Sequence, residues 1–132
     1  MKTSRLFCLS VVLSLSALSA FGQSYQLPSA IEAAFDRADA AQLSNYFGAT
    51  VELTVLEQSD VYSKQQATNI LAGFFGKNTV TGFRSLHGGN KDAASFAIGN
   101  LNTTGQTYRV YVLIRSVSGQ PVIQQLRIET ND

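Results

Sequence analysis

Four successive segments in the second half of the chain alternate apolar and polar residues, and this pattern limits the possible folds more than any other feature. The segments cover residues 80–87, 95–101, 107–115 and 121–129. A period of two is typical of strands that bury one face. The connecting stretches GGNKD, NTTG and SVSGQ contain the Gly, Asn, Asp and Ser residues that hairpin turns favour. The pattern therefore predicts an antiparallel meander of four strands.

The last two strands of this meander can be aligned in a single register. One alignment places apolar residues opposite each other and also brings opposite charges together, so two independent criteria agree. The predicted cross-strand pairs are Val112 with Leu126, Val110 with Ile128 and Arg109 with Glu129.

Two helical segments precede the strands. Ser29 and Glu32 form a capping-box signature, which predicts the start of a first helix. Its apolar face comprises Ile31, Ala34, Phe35 and Ala38. Asp39 can cap a short second helix over residues 40–47, which we expect Gly48 to end.

A strand and a third helix complete the first half. The apolar residues Val51, Leu53 and Val55 alternate with polar ones, which predicts a half-buried strand. The following stretch QSDVYS breaks the pattern, and we expect a loop there. Ser63 and Gln66 form a second capping box before a helix that Gly76 ends.

This order of elements excludes a doubly wound parallel sheet, because strands joined by tight turns must be antiparallel. The predicted fold class is α+β. The helices can cover only one face of the sheet, so we expect the antiparallel sheet to bend strongly over them. Bent sheets of this kind commonly enclose a pocket.

The first 22 residues have the pattern of a secretory signal peptide. Lys2 and Arg5 precede an apolar run over residues 6–20, and small residues before Gln23 suit cleavage after Gly22. The run is shorter than the roughly 20 residues that a membrane span needs. We therefore predict a signal peptide over residues 1–22, a single domain over residues 23–132, export to the periplasm or the extracellular space, and no membrane anchor after cleavage.

The charged residues and the lack of cysteine after processing limit the function classes. Cys8 is the single cysteine and lies within the predicted leader, so thiol catalysis and thiolate metal sites are not expected. Basic residues are scattered singly along the sequence rather than clustered. Because nucleic acids require a basic stripe or patch, we expect no nucleic-acid partner.

His87 is the single histidine, and it is the residue best suited to acid–base chemistry. In a regular strand it would share a face with Phe83 and Ser85, so a histidine facing a pocket could act as a base or as a hydrogen-bond donor to a ligand. The structural alternative is that His87 ends a strand and hydrogen-bonds the turn at Gly88 and Gly89. Those glycines could also bind an anion, although a hairpin turn explains them more simply.

Other residues that could act in a pocket have simpler structural explanations. Tyr62 is both a ligand-binding candidate and the apolar residue before a capping serine. We weighed further carboxylates and tyrosines as an acid–base set, and favour structural roles for all of them: Glu52, Asp60, Tyr108 and Tyr111. No triad, nucleophile elbow or metal-ligand spacing is present, so we predict no catalytic residue, metal site or cofactor.

The order of elements resembles the nuclear transport factor 2-like superfamily, also called cystatin-like α+β cones. More narrowly, the segments YSKQQATNILAGFFGKN, FRSLHGGNKDAASFAIGNL, TYRVYVLI and IQQLRIE are similar to an uncharacterised bacterial family of secreted proteins, domain-of-unknown-function family 4783. The resemblance spans residues 27–129. It implies a cone with a strongly bent sheet and no known activity. Other branches of the superfamily bind small apolar ligands, dimerise through the sheet, or act as isomerases and dehydratases.

Our functional hypothesis is a secreted, non-catalytic domain that binds a small apolar ligand or a protein partner through its sheet. Tyr111 and Leu113 lie on the opposite strand face from Val110 and Val112, so both faces are partly apolar. The outer face could also pair with a second copy as a homodimer. The alternative is an isomerase- or dehydratase-like enzyme that uses a pocket residue such as His87. The candidate ligand-binding residues are His87, Phe83, Ser85 and Tyr62.

Overall fold

The computed structural model describes residues 24–132, and the predicted signal peptide over residues 1–22 lies outside the described residues. Within that part, three helices and six strands form an α+β fold. In chain order the elements are α1 (Ser29–Asp36), α2 (Ala40–Ser44), β1 (Phe47–Val55), β2 (Gln58–Ser63), α3 (Lys64–Lys77), β3 (Val80–Lys91), β4 (Ala94–Thr103), β5 (Thr107–Val117) and β6 (Gln120–Thr130).

The four-strand meander is confirmed. Strands β3, β4, β5 and β6 pair with their chain neighbours, and each pair is antiparallel. The register between β5 and β6 is also the predicted one: Val112 lies opposite Leu126, and Val110 lies opposite Ile128. Apolar matching across two strands was therefore sufficient to align them.

A hairpin of β1 and β2 joins the meander at its last strand. The full order in the sheet is β2-β1-β6-β5-β4-β3, and β1 runs parallel to β6. The expectation of a loop over residues 58–63 was wrong, because these residues form β2 and pair with β1. Strand β2 is an edge strand, so backbone pairing on one side holds it although its side chains are mostly exposed.

The sheet is curved and does not close on itself. Irregular pairing interrupts its ladders at several points, including the steps between Ser85 and His87 and between Leu113 and Ile114. An extra residue in one strand bends that strand and increases its twist. These irregularities explain how the sheet bends over the helices.

The helices pack against one face of the sheet, which we call the inner face; the opposite face is the outer face. Between helices and sheet lies one core of aliphatic and aromatic side chains. Apolar side chains with 0% relative exposure come from both layers: Ile31, Phe35, Leu43, Ala67 and Leu71 from the helices and Leu101, Val110, Ile123, Leu126 and Ile128 from the sheet. The space between the two layers is therefore filled by apolar side chains.

The three helices start where predicted, but only two of the three predicted side-chain caps form. The Oδ1 atom of Asp39 accepts a hydrogen bond from the backbone N–H of Gln42 at 3.0 Å, and Ser63 forms the predicted capping box with Gln66. The box at Ser29 does not form, because Pro28 occupies the N-cap position and Ser29 is already helical. Proline has a fixed φ that suits a helix start without a side-chain cap.

The helix ends differ from the expectation in two places. Helix α2 ends at Ser44, and Gly48 lies within β1 rather than at a helix end. Helix α3 continues through Gly76 to Lys77. Among residues 24–132, no helix is both long enough and apolar enough to cross a membrane.

Candidate functional site

His87 lies on the outer face of β3, because the strand contains an irregularity just before it. Ser85 pairs with Gly99, whereas His87 pairs with Ile98, so Leu86 is an extra residue in the ladder. The His87 side chain is exposed, and its ring contacts the edge of Phe96 with a centroid distance of 6.0 Å. The expectation that His87 shares a face with Phe83 and Ser85 was therefore wrong.

Phe83 and Ser85 remain on the inner side of β3. The Phe83 ring stacks on Phe35 of α1 with a centroid distance of 4.9 Å and belongs to the edge of the core. It also lies over Gly99, where an added Cβ atom would be 2.6 Å from the Phe83 Cζ atom. Phe83 thus fills space that a ligand would need in an open cone.

Tyr62 lies in β2 rather than in a loop, directly opposite Val51. Its side chain is half-buried and packs against the core. Phe83 and Tyr62 are therefore packing residues, whereas Ser85 and His87 lie on opposite faces of β3 but both line one groove beside the N-terminal segment.

Gly88 and Gly89 also lie in β3, so the expectation of a turn at these residues was wrong. The turn comes later, where Asp92 has a φ of 56°. Gly88 is required by close approach, because an added Cβ atom would lie 2.6 Å from the backbone oxygens of both Tyr25 and Phe96. The N-terminal segment thus crosses β3 at Gly88.

A groove of about 540 Å³ lies beside this crossing. It is lined by the N-terminal segment, by Glu32 of α1, and by β3 from Ser85 to Gly88. Burial raises the pKa of the Tyr25 phenol above its usual value. The groove is polar and lies outside the packed core, so it differs from the enclosed cavity that an acid–base site in a cone needs.

The two tyrosines of β5 lie on opposite faces of the sheet and have different surroundings. Tyr108 is buried on the inner face, donates a hydrogen bond from its hydroxyl to Asn78 Oδ1 at 3.1 Å, and meets the Phe74 ring edge-on at 5.1 Å. Tyr111 is half-buried on the outer face. Tyr108 therefore joins the sheet to the end of α3, while Tyr111 is available to a partner.

A stripe of half-buried apolar side chains crosses the outer face of β4 and β5; we call it the outer stripe. Its rings stack, with Phe96 and Tyr111 centroids 6.1 Å apart. The Phe96 ring also lies over Gly89, where an added Cβ atom would come within 3.1 Å of it. The outer stripe comprises Phe96, Ile98, Tyr111 and Leu113.

The fold gathers basic side chains around this stripe, although they are dispersed in the sequence. Five of the eight Lys and Arg residues that follow residue 23 lie on the outer face. Sequence position alone did not reveal this, because the residues are spread over three strands of the sheet. We call the set the outer basic patch: Arg84, Lys91, Arg109, Arg115 and Arg127.

A shallow depression of about 340 Å³ lies between the stripe and the patch; we call it the outer depression. It is lined by Ile98, Tyr111 and Gln125 together with charged side chains. The charged ones are Lys91, Arg109, Arg127 and Glu129. Glu129 accepts a hydrogen bond from Arg127 at 2.9 Å rather than from Arg109, whose guanidinium donates to Asn131 at 2.8 Å. The depression keeps an excess of positive charge.

Asn100 has the one buried side-chain nitrogen or oxygen in residues 24–132 that lacks a hydrogen-bond partner, its Oδ1 atom. It lies on the outer face of β4, directly between Arg84 of β3 and Arg109 of β5. An unpaired buried carbonyl oxygen is costly, and native structures contain few. Strand alternation from Ala97 and Leu101 could have placed Asn100, Phe96 and Ile98 on the outer face. The side chains that surround them come from β3 and β5, so the sequence of β4 alone does not reveal these contacts.

Metal binding finds no support in the part of the chain that the structure describes. No three His, Cys, Asp or Glu side chains among residues 24–132 gather in a group that could hold a metal ion.

Comparisons with known proteins identify the relatives of the chain. A family model described as "Domain of unknown function (DUF4783)" matches residues 28–129. A solved family member from Bacteroides ovatus is 38% identical, covers 80% of this chain and 96% of its own, and has a TM-score of 0.75. A second one, from Bacteroides fragilis, is 33% identical, covers 80% and 100%, and has a TM-score of 0.75.

More distant solved structures share the fold. An NTF2-like protein of unknown function from Cytophaga hutchinsonii is 11% identical, covers 76% of this chain and 82% of its own, and has a TM-score of 0.55. No curated protein matches the chain.

Proposed function

This chain belongs to the family defined by the domain of unknown function DUF4783, and from its geometry we propose that it is a non-catalytic binding domain whose working surface is the outer face of the sheet. The observation that carries the proposal is the contrast between the two sides of the sheet. The inner side is filled by core side chains, whereas the outer side presents a half-buried apolar stripe. Apolar patches bordered by charged residues commonly mark interaction sites.

The partner is a small ligand or a protein, including a second copy of this chain. Aromatic side chains at the centre and arginines at the rim are the residue types that interfaces favour. Phe96 and Tyr111 occupy the centre here, and Arg109 and Arg127 border them. The Phe96 ring lies over Gly89, whose missing side chain leaves room for it on the outer face.

The isomerase or dehydratase alternative required His87 inside the cone with a carboxylate or tyrosine within hydrogen-bond reach. His87 instead lies exposed on the outer face against Phe96, and the inner side is packed with Phe35, Phe83 and their neighbours. The site geometry therefore favours the binding domain.

The experiment places a photoreactive amino acid in the outer stripe at Leu113 and, as the matched control, at Leu56. Leu56 is also an exposed leucine, with 40% relative exposure, but it lies in the turn between β1 and β2. Illumination of living cells should give adducts from position 113 and few from position 56, and mass spectrometry of the adduct identifies a second copy or another molecule. Equal labelling from both positions, or none from position 113, would contradict the proposal.

We also propose that the protein acts outside the cytoplasm, because its first 22 residues have the pattern of a signal peptide. N-terminal sequencing of the protein from fractionated cells tests this, with Gln23 as the expected first residue. Recovery of the intact N-terminus from the cytoplasmic fraction would contradict it.

A further inference from the structure

We propose that the outer depression binds an acidic saccharide of the hexuronate type, a sugar ring that carries a carboxylate and free hydroxyl groups. This inference rests on the proposed function, since it names the ligand of the same surface. Two properties of the depression require an anionic group and a flat apolar face in its ligand, and Asn100 beside the depression requires a hydrogen-bond donor.

The anionic group follows from the charges of the outer face. Lys91, Arg109 and Arg127 line the depression with Glu129 as the one acid among its lining residues. Arg109 and Arg127 each donate one side-chain hydrogen bond, through the terminal nitrogen Nη2. A guanidinium has five N–H donors, so the other N–H groups of each arginine remain for a ligand. Arginine binds carboxylates through paired, charge-assisted hydrogen bonds, so a carboxylate is the group that suits this arrangement.

The donor follows from Asn100. Its Oδ1 atom is buried without a partner between two strands that each present an arginine, Arg84 and Arg109. Asn100 does not line the depression, but it lies opposite Arg109, which does. A ligand hydroxyl beside the carboxylate would satisfy this oxygen once the side chains that cover it move aside, while the carboxylate meets the arginines. A ligand with carboxylates alone would place an acceptor against an acceptor and leave Asn100 unpaired.

The flat apolar face follows from the outer stripe. Tyr111 and Ile98 form the apolar part of the depression, and Phe96 stacks on Tyr111 from the neighbouring strand. A sugar ring presents aliphatic C–H groups on its faces, and these pack on aromatic side chains through dispersion and burial of apolar area. The shallow shape suits a ring that lies flat on the sheet.

Two other anionic partners fit less well. An extended acidic peptide binds a sheet through unpaired backbone groups at an edge, whereas this depression lies over β4, β5 and β6, whose neighbours on both sides already pair with them. A polynucleotide binds chiefly through many phosphate contacts to a broad basic surface, whereas this depression has three basic side chains and Glu129.

The test is calorimetric titration of the purified protein with trigalacturonate, with neutral galactotriose and a thymidine oligonucleotide as comparison ligands. We expect trigalacturonate to bind and galactotriose to bind at least tenfold more weakly. Arg109→Gln and Tyr111→Ala should each weaken trigalacturonate binding about tenfold, the loss expected for one charge-assisted or stacking contact. The matched control is Arg37→Gln, which removes the same charge from an exposed residue beside α1 and should leave affinity unchanged.

The outcomes separate this inference from the proposed function. Absence of trigalacturonate binding at millimolar concentration, equal binding of galactotriose, or tighter binding of the oligonucleotide would overturn the saccharide inference. So would an equal loss in Arg37→Gln. If photoreactive residues at position 113 still give a defined protein adduct, the outer face remains the working surface and only the ligand assignment fails. If neither a saccharide nor an adduct is found there, both fail.

Discussion

On the inner face of β5, Val110 and Val112 have 0% and 1% relative exposure, whereas Tyr111 and Leu113 on its outer face are only half-buried. The same strand thus carries apolar side chains on both sides, but helices cover only one of them. Alternation along the strand assigns residues to a face, and the second layer decides which face becomes core. The difference teaches that the inner face serves stability and that the outer face is free to serve binding.

The largest expected effect compares one leucine from each face. Leu126 has 0% exposure, so Leu126→Ala should lower the free energy of unfolding by about 2–5 kcal/mol through lost burial and a cavity. Leu113→Ala should cost less than about 1 kcal/mol, because the side chain is already partly in water. Urea denaturation measures both. Similar losses would show that something covers the outer face in solution.

A second comparison uses one glycine from each face. Gly99→Ala brings a Cβ atom to 2.6 Å from the Phe83 ring and 2.7 Å from the backbone oxygen of Arg84, so we expect a loss of about 1–3 kcal/mol. Gly89→Ala meets the Phe96 ring at 3.1 Å, and that ring can move toward solvent, so the loss should be smaller. The thermal midpoints rank the two variants.

Gly73→Ala is the control for this glycine comparison. It lies within α3 with nothing inside 4 Å of an added Cβ atom, so its midpoint should rise. A Gly89 variant less stable than the Gly99 variant would reverse the assigned roles of the two faces.

The third comparison removes one hydroxyl from each face of β5. Tyr108→Phe loses the hydrogen bond to Asn78 and should cost about 1 kcal/mol of unfolding free energy. Tyr111→Phe should leave stability unchanged within about 0.5 kcal/mol, because it keeps its ring and its stacking on Phe96. Chemical denaturation of the two variants checks this, and an equal loss would mean that the Tyr111 hydroxyl has a stabilising partner in solution.

The smallest expected effect concerns the charges of the outer face. The Arg127 and Glu129 side chains are 43% and 42% exposed, so water and salt screen their ion pair. Arg127→Gln should therefore change the free energy of unfolding by less than about 0.5 kcal/mol. Measurement at low and high salt tests this. A loss above 1.5 kcal/mol would mean that these charges hold the fold together.

The sequence was sufficient where apolar periodicity and turn residues agreed. The meander and the β5–β6 register followed from it because Val110, Val112, Leu126 and Ile128 leave one alignment that buries all four. The capping box at Ser63 followed from local hydrogen-bond chemistry, which depends on few neighbours.

The sequence was insufficient where a strand lacks alternation, contains an extra residue or is contacted by another segment. Strand β2 lacks apolar alternation, and its turn from β1 uses Leu56 at a φ of 57° instead of a glycine. The extra residue Leu86 reverses the face of His87, which counting by two along β3 does not detect. Gly88 is a glycine because the backbone of Tyr25 and Phe96 approaches it closely. The sequence alone does not distinguish such a glycine from a turn glycine.

The candidate surface was predicted only in part, because alternation along one strand assigns a residue to a face but does not show its neighbours on other strands. Tyr111 and Leu113 were recognised on the outer face because they alternate with buried valines of their own strand. The outer basic patch was missed because its members come from three strands, β3, β5 and β6, and only the sheet order brings them together. Asn100 was missed because its unpaired oxygen depends on both neighbouring strands.

The position of β6 has a consequence for biogenesis. This last strand lies between β1 and β5, and it links the N-terminal hairpin to the meander. A chain that lacks its final segment has two separate pieces of sheet, each too small to cover the helices. If the protein is threaded outward from its N-terminus, it cannot complete its sheet until the C-terminus has emerged. Such a chain remains incompletely folded while it passes through a narrow translocation channel, and it folds completely only after β6 has left the channel.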